Sequence, residues 1–348
     1  MANHNVNVSR ILIILASLVI VAAGLNAAKI ILVPFLLAAF IAILSASPMF
    51  WLQRRGLPGW LALLIVILGV FIAGLLLAGL VSTSLGTFSE NLPSYEAKLR
   101  AHADAVVAWL DGKNIHLSRS ALTGVFDPGA AMKLVATLFN ALTNVLANGF
   151  LVLMTVIFML LEASGMPGKI RAILGPSTSL SGFDRFVKNV QHYMAIKTII
   201  SLFTGVLVTL WLVWLGVDFP LLWGLLAFLL NYVPNIGSII AAGPAVLLAM
   251  VQLGPLRALL VGVGYLVINL AMGGAIEPRF MGRGLGLSPL VVFLSLLFWG
   301  WLLGPVGMLL SVPLTMTAKI ALDSHEQTRW VAVILGPATV PPPPAKSH

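Results

Sequence analysis

Two runs in this chain hold most of the residues able to do chemistry. The first reads Asn231-Tyr-Val-Pro234-Asn235-Ile-Gly237-Ser238 and sets amide and hydroxyl groups at helical spacing around a proline. Pro234 has no amide proton, so backbone groups near Leu230 lose their helical partner. Asn231, Asn235 and Ser238 project polar groups to one side of that break, and Gly237 and Gly243 permit close backbone approach. The pattern suits a cradle for a neutral polar solute, or a cation site built from carbonyls and amides. The plainer alternative is a kink whose Asn side chains satisfy the freed backbone.

The second run is Glu277-Pro278-Arg279-Phe-Met-Gly282-Arg283. An acid two residues from a base, at the end of an apolar span, is expensive near lipid unless paired or hydrated. Glu277 is therefore the foremost ionisable candidate. Alternation between a protonated state and a pair with Arg279 or Arg283 would couple transport to protons. The competing reading is a cytoplasmic turn pinned by a structural ion pair. A third feature, Gly304-Pro305-Val-Gly307, marks a hairpin tip or helix break, and small residues there suit either a moving gate or static packing. Other titratable groups invite ordinary roles: Asp218, before Phe219-Pro220, as a helix N-cap, and Glu162 and Lys197 as interface anchors.

The elements that carry these groups must sit in a bilayer. Of 348 residues 59% are hydrophobic and only 9% charged, and the mean hydropathy is +1.04. A soluble domain is about half apolar and a quarter charged. The sequence has no Cys, which excludes disulfides, thiolate metal sites and Cys nucleophiles. The net charge of +9 is scattered over short loops, as membrane topology demands, and does not point to nucleic acid. Ile11 to Ala28 exceeds the apolar length of a secretory signal and reads as a retained first helix.

Apolar length and polar breaks predict an all-α polytopic membrane protein with about six full spans, near 11–28, 30–50, 60–85, 138–161, 196–216 and 256–275. Two further stretches, Phe219 to Met250 and Leu285 to Ala321, are too long for one span and are interrupted by Pro, Gly and Asn or Ser. They read as broken helices or helical hairpins, the type of element that forms solute and ion sites in secondary transporters. The expected organisation is three spans (1–85), an external amphipathic helical segment (86–137), a fourth span (138–161), a cytoplasmic amphipathic linker (162–195), a transport core (196–322) and a cytoplasmic tail (323–348), its proline-rich end from Pro337 extended or disordered.

Charge sets the orientation. Segment 86–137 is balanced, with five basic residues against five acidic ones, whereas the link from Glu162 to Lys197 carries a basic surplus. The surplus belongs inside, the neutral segment outside, and parity then brings both termini to the cytoplasm. The external segment places Leu99, Ala103, Val106, Val107 and Leu110 on one face, for contact with lipid or a neighbouring subunit. Walker, zinc-protease and nucleophile-elbow motifs are missing, so no enzyme, cofactor or metal is expected, and uphill transport must draw on an ion gradient or a partner protein.

The run from Ile276 to Leu314, together with Asn231 to Ser238 and Val33-Pro-Phe, resembles the autoinducer-2 exporter family of bacterial membrane proteins, over about residues 10 to 322. The resemblance implies an inner-membrane exporter of autoinducer-2, a small sugar-like signal, working as a homo-oligomer with a pentamer as the suggested size. Some members are instead assigned sodium or lithium/proton antiport, which makes Na+ and protons the alternative cargo. A passive pore or a non-transporting scaffold is the third class.

Overall fold

The computed structural model describes residues 8–112, 137, 143, 147–174, 181–233, 237–281, 286–323 and 326–337. Those residues form helices and contain no strands. In chain order they are α1 (Val8–Ala27), α2 (Lys29–Arg54), α3 (Gly59–Asp111), α4 (Gly149–Leu174), α5 (Ser181–Leu215), α6 (Pro220–Leu230), α7 (Gly237–Leu253), α8 (Pro255–Asn269) with a π-helical continuation (Leu270–Ile276), α9 (Glu277–Met281), α10 (Pro289–Leu303), α11 (Pro305–Asp323) and α12 (Arg329–Ile334). Among the described residues five segments are long and apolar enough to cross a bilayer: Lys29–Arg54, Gly59–Tyr95, Val190–Leu215, Pro255–Phe280 and Pro305–Asp323. Large apolar side chains such as Leu76, Phe158 and Trp214 face outward, as a lipid solvent requires.

Helix punctuation follows from local chemistry. At Gly254-Pro255 and Gly304-Pro305 the glycine adopts φ of 90° and 71°, which a side chain would resist, and the proline opens the next helix where its missing N–H costs nothing. The second of these joins α10 to α11.

Both interrupted stretches fold as antiparallel helix pairs, that is, helical hairpins in shape. At about 1.5 Å per residue α6 is only about 16 Å long, roughly half a hydrocarbon core. Its start and the end of α7 lie together: the Asp218 amide donates to Gln252 Oε1 at 2.9 Å, and Gln252 Nε2 donates to the Gly216 carbonyl at 3.2 Å. Helices α6 and α7 therefore run back to back. In the second hairpin Trp299 Nε1 donates to Thr315 Oγ1 at 3.0 Å between the arms. At its base Lys319 Nζ donates to the Gly286 carbonyl, and the Ser288 amide donates to the Leu335 carbonyl at 3.1 Å.

Packing divides into two bodies. One joins α2, α3 and α4, where Ala38, Ala42 and Ala46 recur every fourth residue and admit Val152, Val156 and Leu160 closely. The other gathers α5 to α8 with Val81, Phe88 and Tyr95 of α3. A third cluster, with Phe40, Tyr193, Met194, Tyr232, Val306 and Leu310, bridges α2, α5, the tip of the first hairpin and α11.

Three expected boundaries move, the first being the end of the fourth span, expected at 161, where α4 runs on to Leu174. Helix α3 does not stop near residue 85 but runs on for 53 residues, about 80 Å. The polar residues there do not break it: Thr83 and Thr87 hydroxyls donate back to the carbonyls of Gly79 and Thr83, at 2.8 and 3.1 Å, which is compatible with a continuous helix. Likewise α5 begins at Ser181, and Val190, Tyr193 and Met194, expected in a cytoplasmic linker, are core residues. The reason is their apolar face, which finds α2 and α11 rather than water.

Candidate functional site

Helix α5 carries polar residues at a helical repeat, Lys197, Ser201 and Thr204, on a buried face of an otherwise apolar span. Opposite it stand the tip of the first hairpin and the junction between the π-helical turn and α9. Asn231, the C-cap of α6, is buried and donates from Nδ2 to Ser201 Oγ at 2.9 Å. The next residue, Tyr232, donates its hydroxyl to Thr198 Oγ1 at 2.7 Å, and that Thr in turn donates to the Met194 carbonyl. Edge contacts to Phe40 and Phe228, with ring centroids 5.3 and 5.8 Å away, hold the Tyr232 ring.

Lys197 Nζ lies 2.6 Å from Glu277 Oε1, with side-chain exposures of 5% and 17%. The other described ion pairs, Lys169 with Glu162 and Arg329 with Asp323, have both partners at least half exposed. Glu277 follows the π-helical turn, and its amide donates to the Met272 carbonyl five residues back. Such a turn shifts the register of the helix by one residue and is frequent at functional sites. Two charges this far out of water need each other, because either alone would be an uncompensated buried ion.

Close helix crossing brings the hairpin to α5. A Cβ added at Gly224 would lie 1.8 Å from Thr209 Oγ1 and 2.7 Å from the Gly205 carbonyl, so no side chain fits. At the tip, Gly237 is equally tight: a Cβ would come within 1.8 Å of the Leu230 carbonyl. In the second hairpin Gly304 sits at the turn, Pro305 opens α11, and Gly307 presses on Trp299, whose carbonyl would meet an added Cβ at 2.0 Å.

The structure thus brings Asn231 to Ser201 and Glu277 to Lys197, one turn apart on α5, with Gly237 shaping the tip and Ser238 half-buried beside it. It does not bring Arg279 there; that residue is exposed on α9. Pro234, Asn235 and Arg283 lie outside the described residues. Two expectations are corrected. Lys197 is no interface anchor but a partner of Glu277, where Arg279 was anticipated, because α5 and α8 run antiparallel and Pro255–Phe280 returns to the Lys197 end. Asp218 is no N-cap: Phe219, at φ 58°, occupies that position without a side-chain cap bond, and the Asp218 carboxylate accepts from Tyr95 at 2.7 Å. The signal that could have exposed Lys197, Thr198 and Ser201 was the polar stripe on α5.

A polytopic helical protein with two hairpins folded against its spans, and polar groups collected at the tip of one, is built as a membrane transporter. It belongs to the AI-2E transporter family, whose sequence profile, AI-2E family transporter, matches residues 13–327. Among similar proteins are the AI-2 transport protein TqsA of Escherichia coli, 44% identical over 94% of this chain and 95% of that one, and the E. coli protein YhhT, whose name assigns it provisionally to transport, 42% identical over 94% of each. A similarly named Haemophilus influenzae protein is 40% identical over 96% of this chain and 98% of its own length.

Proposed function

We propose that this transporter exports a small uncharged polar solute, autoinducer-2 or a close chemical relative, through the bacterial inner membrane, with both chain termini in the cytoplasm. The observation that carries the reading is the polar tip of the first hairpin: Asn231 and Tyr232 meet Ser201 and Thr198 beside a charge-compensated Glu277. Hydroxyls and amides recognise a polyhydroxylated solute by hydrogen bonds without demanding charge. The name of the similar E. coli protein, AI-2 transport protein TqsA, supports the same cargo. Measuring autoinducer-2 inside and outside cells with and without the protein tests this; an identical partition in both rejects it.

Sodium or lithium/proton antiport is the second reading, favoured by the buried carboxylate of Glu277. Everted vesicles with a pH-sensitive dye decide it, since an antiporter must move protons when either cation is added. For the assembly we propose a homo-oligomer in the bilayer, with a pentamer as the size the family likeness suggests, to be checked by native mass spectrometry.

A further inference from the structure

Lys197 presents its ammonium to the one carboxylate that the described site contains, from a helix face lined with hydroxyls. An isolated carboxylate in such a place attracts a proton or a dehydrated monovalent cation, because carbonyl, hydroxyl and carboxylate oxygens replace the water shell of Na+ well. Here the position is already taken by a cation that cannot leave, since the Lys197 stem rises from α5 and its residue is 4% exposed.

We infer that Lys197 is a specificity-determining residue: it acts as a tethered cation on Glu277, keeps free Na+ off that carboxylate and leaves the site fit for uncharged solutes. This role rests on the neutral-solute reading above. Geometry carries it. The pair joins residues 80 positions apart, so two spans are needed to make it. Arg279, on the same short helix as Glu277, is exposed and leaves the carboxylate to Lys197. Among the described residues the hydrogen-bonded neighbours on this face are uncharged: Asn231 pairs with Ser201 and Tyr232 with Thr198, and Lys197 and Glu277 sum to zero. Because the π-helical turn Leu270–Ile276 sets the register that aims Glu277 at α5, the selectivity is a property of that irregular turn as much as of the lysine.

The test uses the full-length protein in liposomes, with uptake of radioactive sodium measured at pH 8 under a sodium gradient. Wild type and Lys197→Arg, which keeps the charge, take up sodium at the level of empty liposomes. Lys197→Ala, which frees space beside Glu277, takes up sodium well above that level. Lys197→Gln fills the volume without the charge and gives a smaller gain, and it decides the matter should the alanine variant not purify folded. The double variant Lys197→Ala with Glu277→Gln returns to the empty-liposome level. Sodium uptake by the wild type, no gain in either uncharged variant, or a gain that survives removal of the carboxylate overturns the inference. Labelled autoinducer-2 run in parallel keeps the two ideas apart: a sodium gain in the variants with no autoinducer-2 movement in the wild type retains the role of Lys197 and rejects the cargo.

Discussion

The hydroxyl of Tyr95 donates to the Asp218 carboxylate at 2.7 Å, joining the far part of α3 to the base of the first hairpin across 123 positions of sequence. Around it the Trp223 indole donates to the Asp218 carbonyl at 2.9 Å, Phe88 stacks edgewise on Phe219, and Phe219 itself holds the left-handed backbone that a bulky residue resists. The base of the hairpin is therefore pinned to α3, while its tip carries the polar site. Tyr95→Phe removes one charged-group hydrogen bond and is expected to lower stability by about 1–3 kcal/mol. Equilibrium unfolding in mixed detergent measures it, and an unshifted midpoint would show that the bond contributes nothing.

Glu277→Gln leaves the Lys197 ammonium buried without its counterion, at an expected cost of about 3–5 kcal/mol. The double variant Lys197→Met with Glu277→Gln removes both charges and should be more stable than Glu277→Gln alone. If the two unfold at the same point, the pair is hydrated in the membrane-embedded protein and the burial assigned to it is wrong.

Gly224→Ala forces α6 away from α5, since its methyl group would sit within 1.8 Å of Thr209 Oγ1. Overpacking of this kind costs about 1–3 kcal/mol. Adding Thr209→Ala should restore only part of the loss, because the Gly205 carbonyl still lies 2.7 Å from the new carbon. Full recovery in the double variant would mean that the backbones are free to separate.

Asn231→Leu combined with Ser201→Ala replaces both partners of a buried hydrogen bond by apolar groups, which is close to neutral for stability. Export of autoinducer-2 should nevertheless fall by about tenfold or more, because the solute loses its polar partners. Retained export with normal unfolding would make Asn231 a residue that merely satisfies the hairpin turn.

Much of the architecture was legible in residue order. Gly304-Pro305 announces a helix end by local sterics alone, and the broken stretches announce themselves by exceeding one membrane crossing. The continuity of α3 past residue 85 was hidden because its Thr and Ser residues have the composition of a loop, yet their hydroxyls find carbonyls within the same helix. The role of Asp218 was hidden too: before a proline it resembles a cap, and its real partner, Tyr95, belongs to a helix that ends more than a hundred residues earlier.

The sequence by itself determined the solvent of this protein, its helical class and the places where its helices break, since hydropathy and backbone hydrogen bonding are settled over a few turns of chain. Only the tertiary structure decided which charge neutralises Glu277 and which hydroxyls meet Asn231 and Tyr232. Those pairings arise where α5 packs between the first hairpin and the returning span, and partners chosen by antiparallel packing leave no trace in the spacing of either segment.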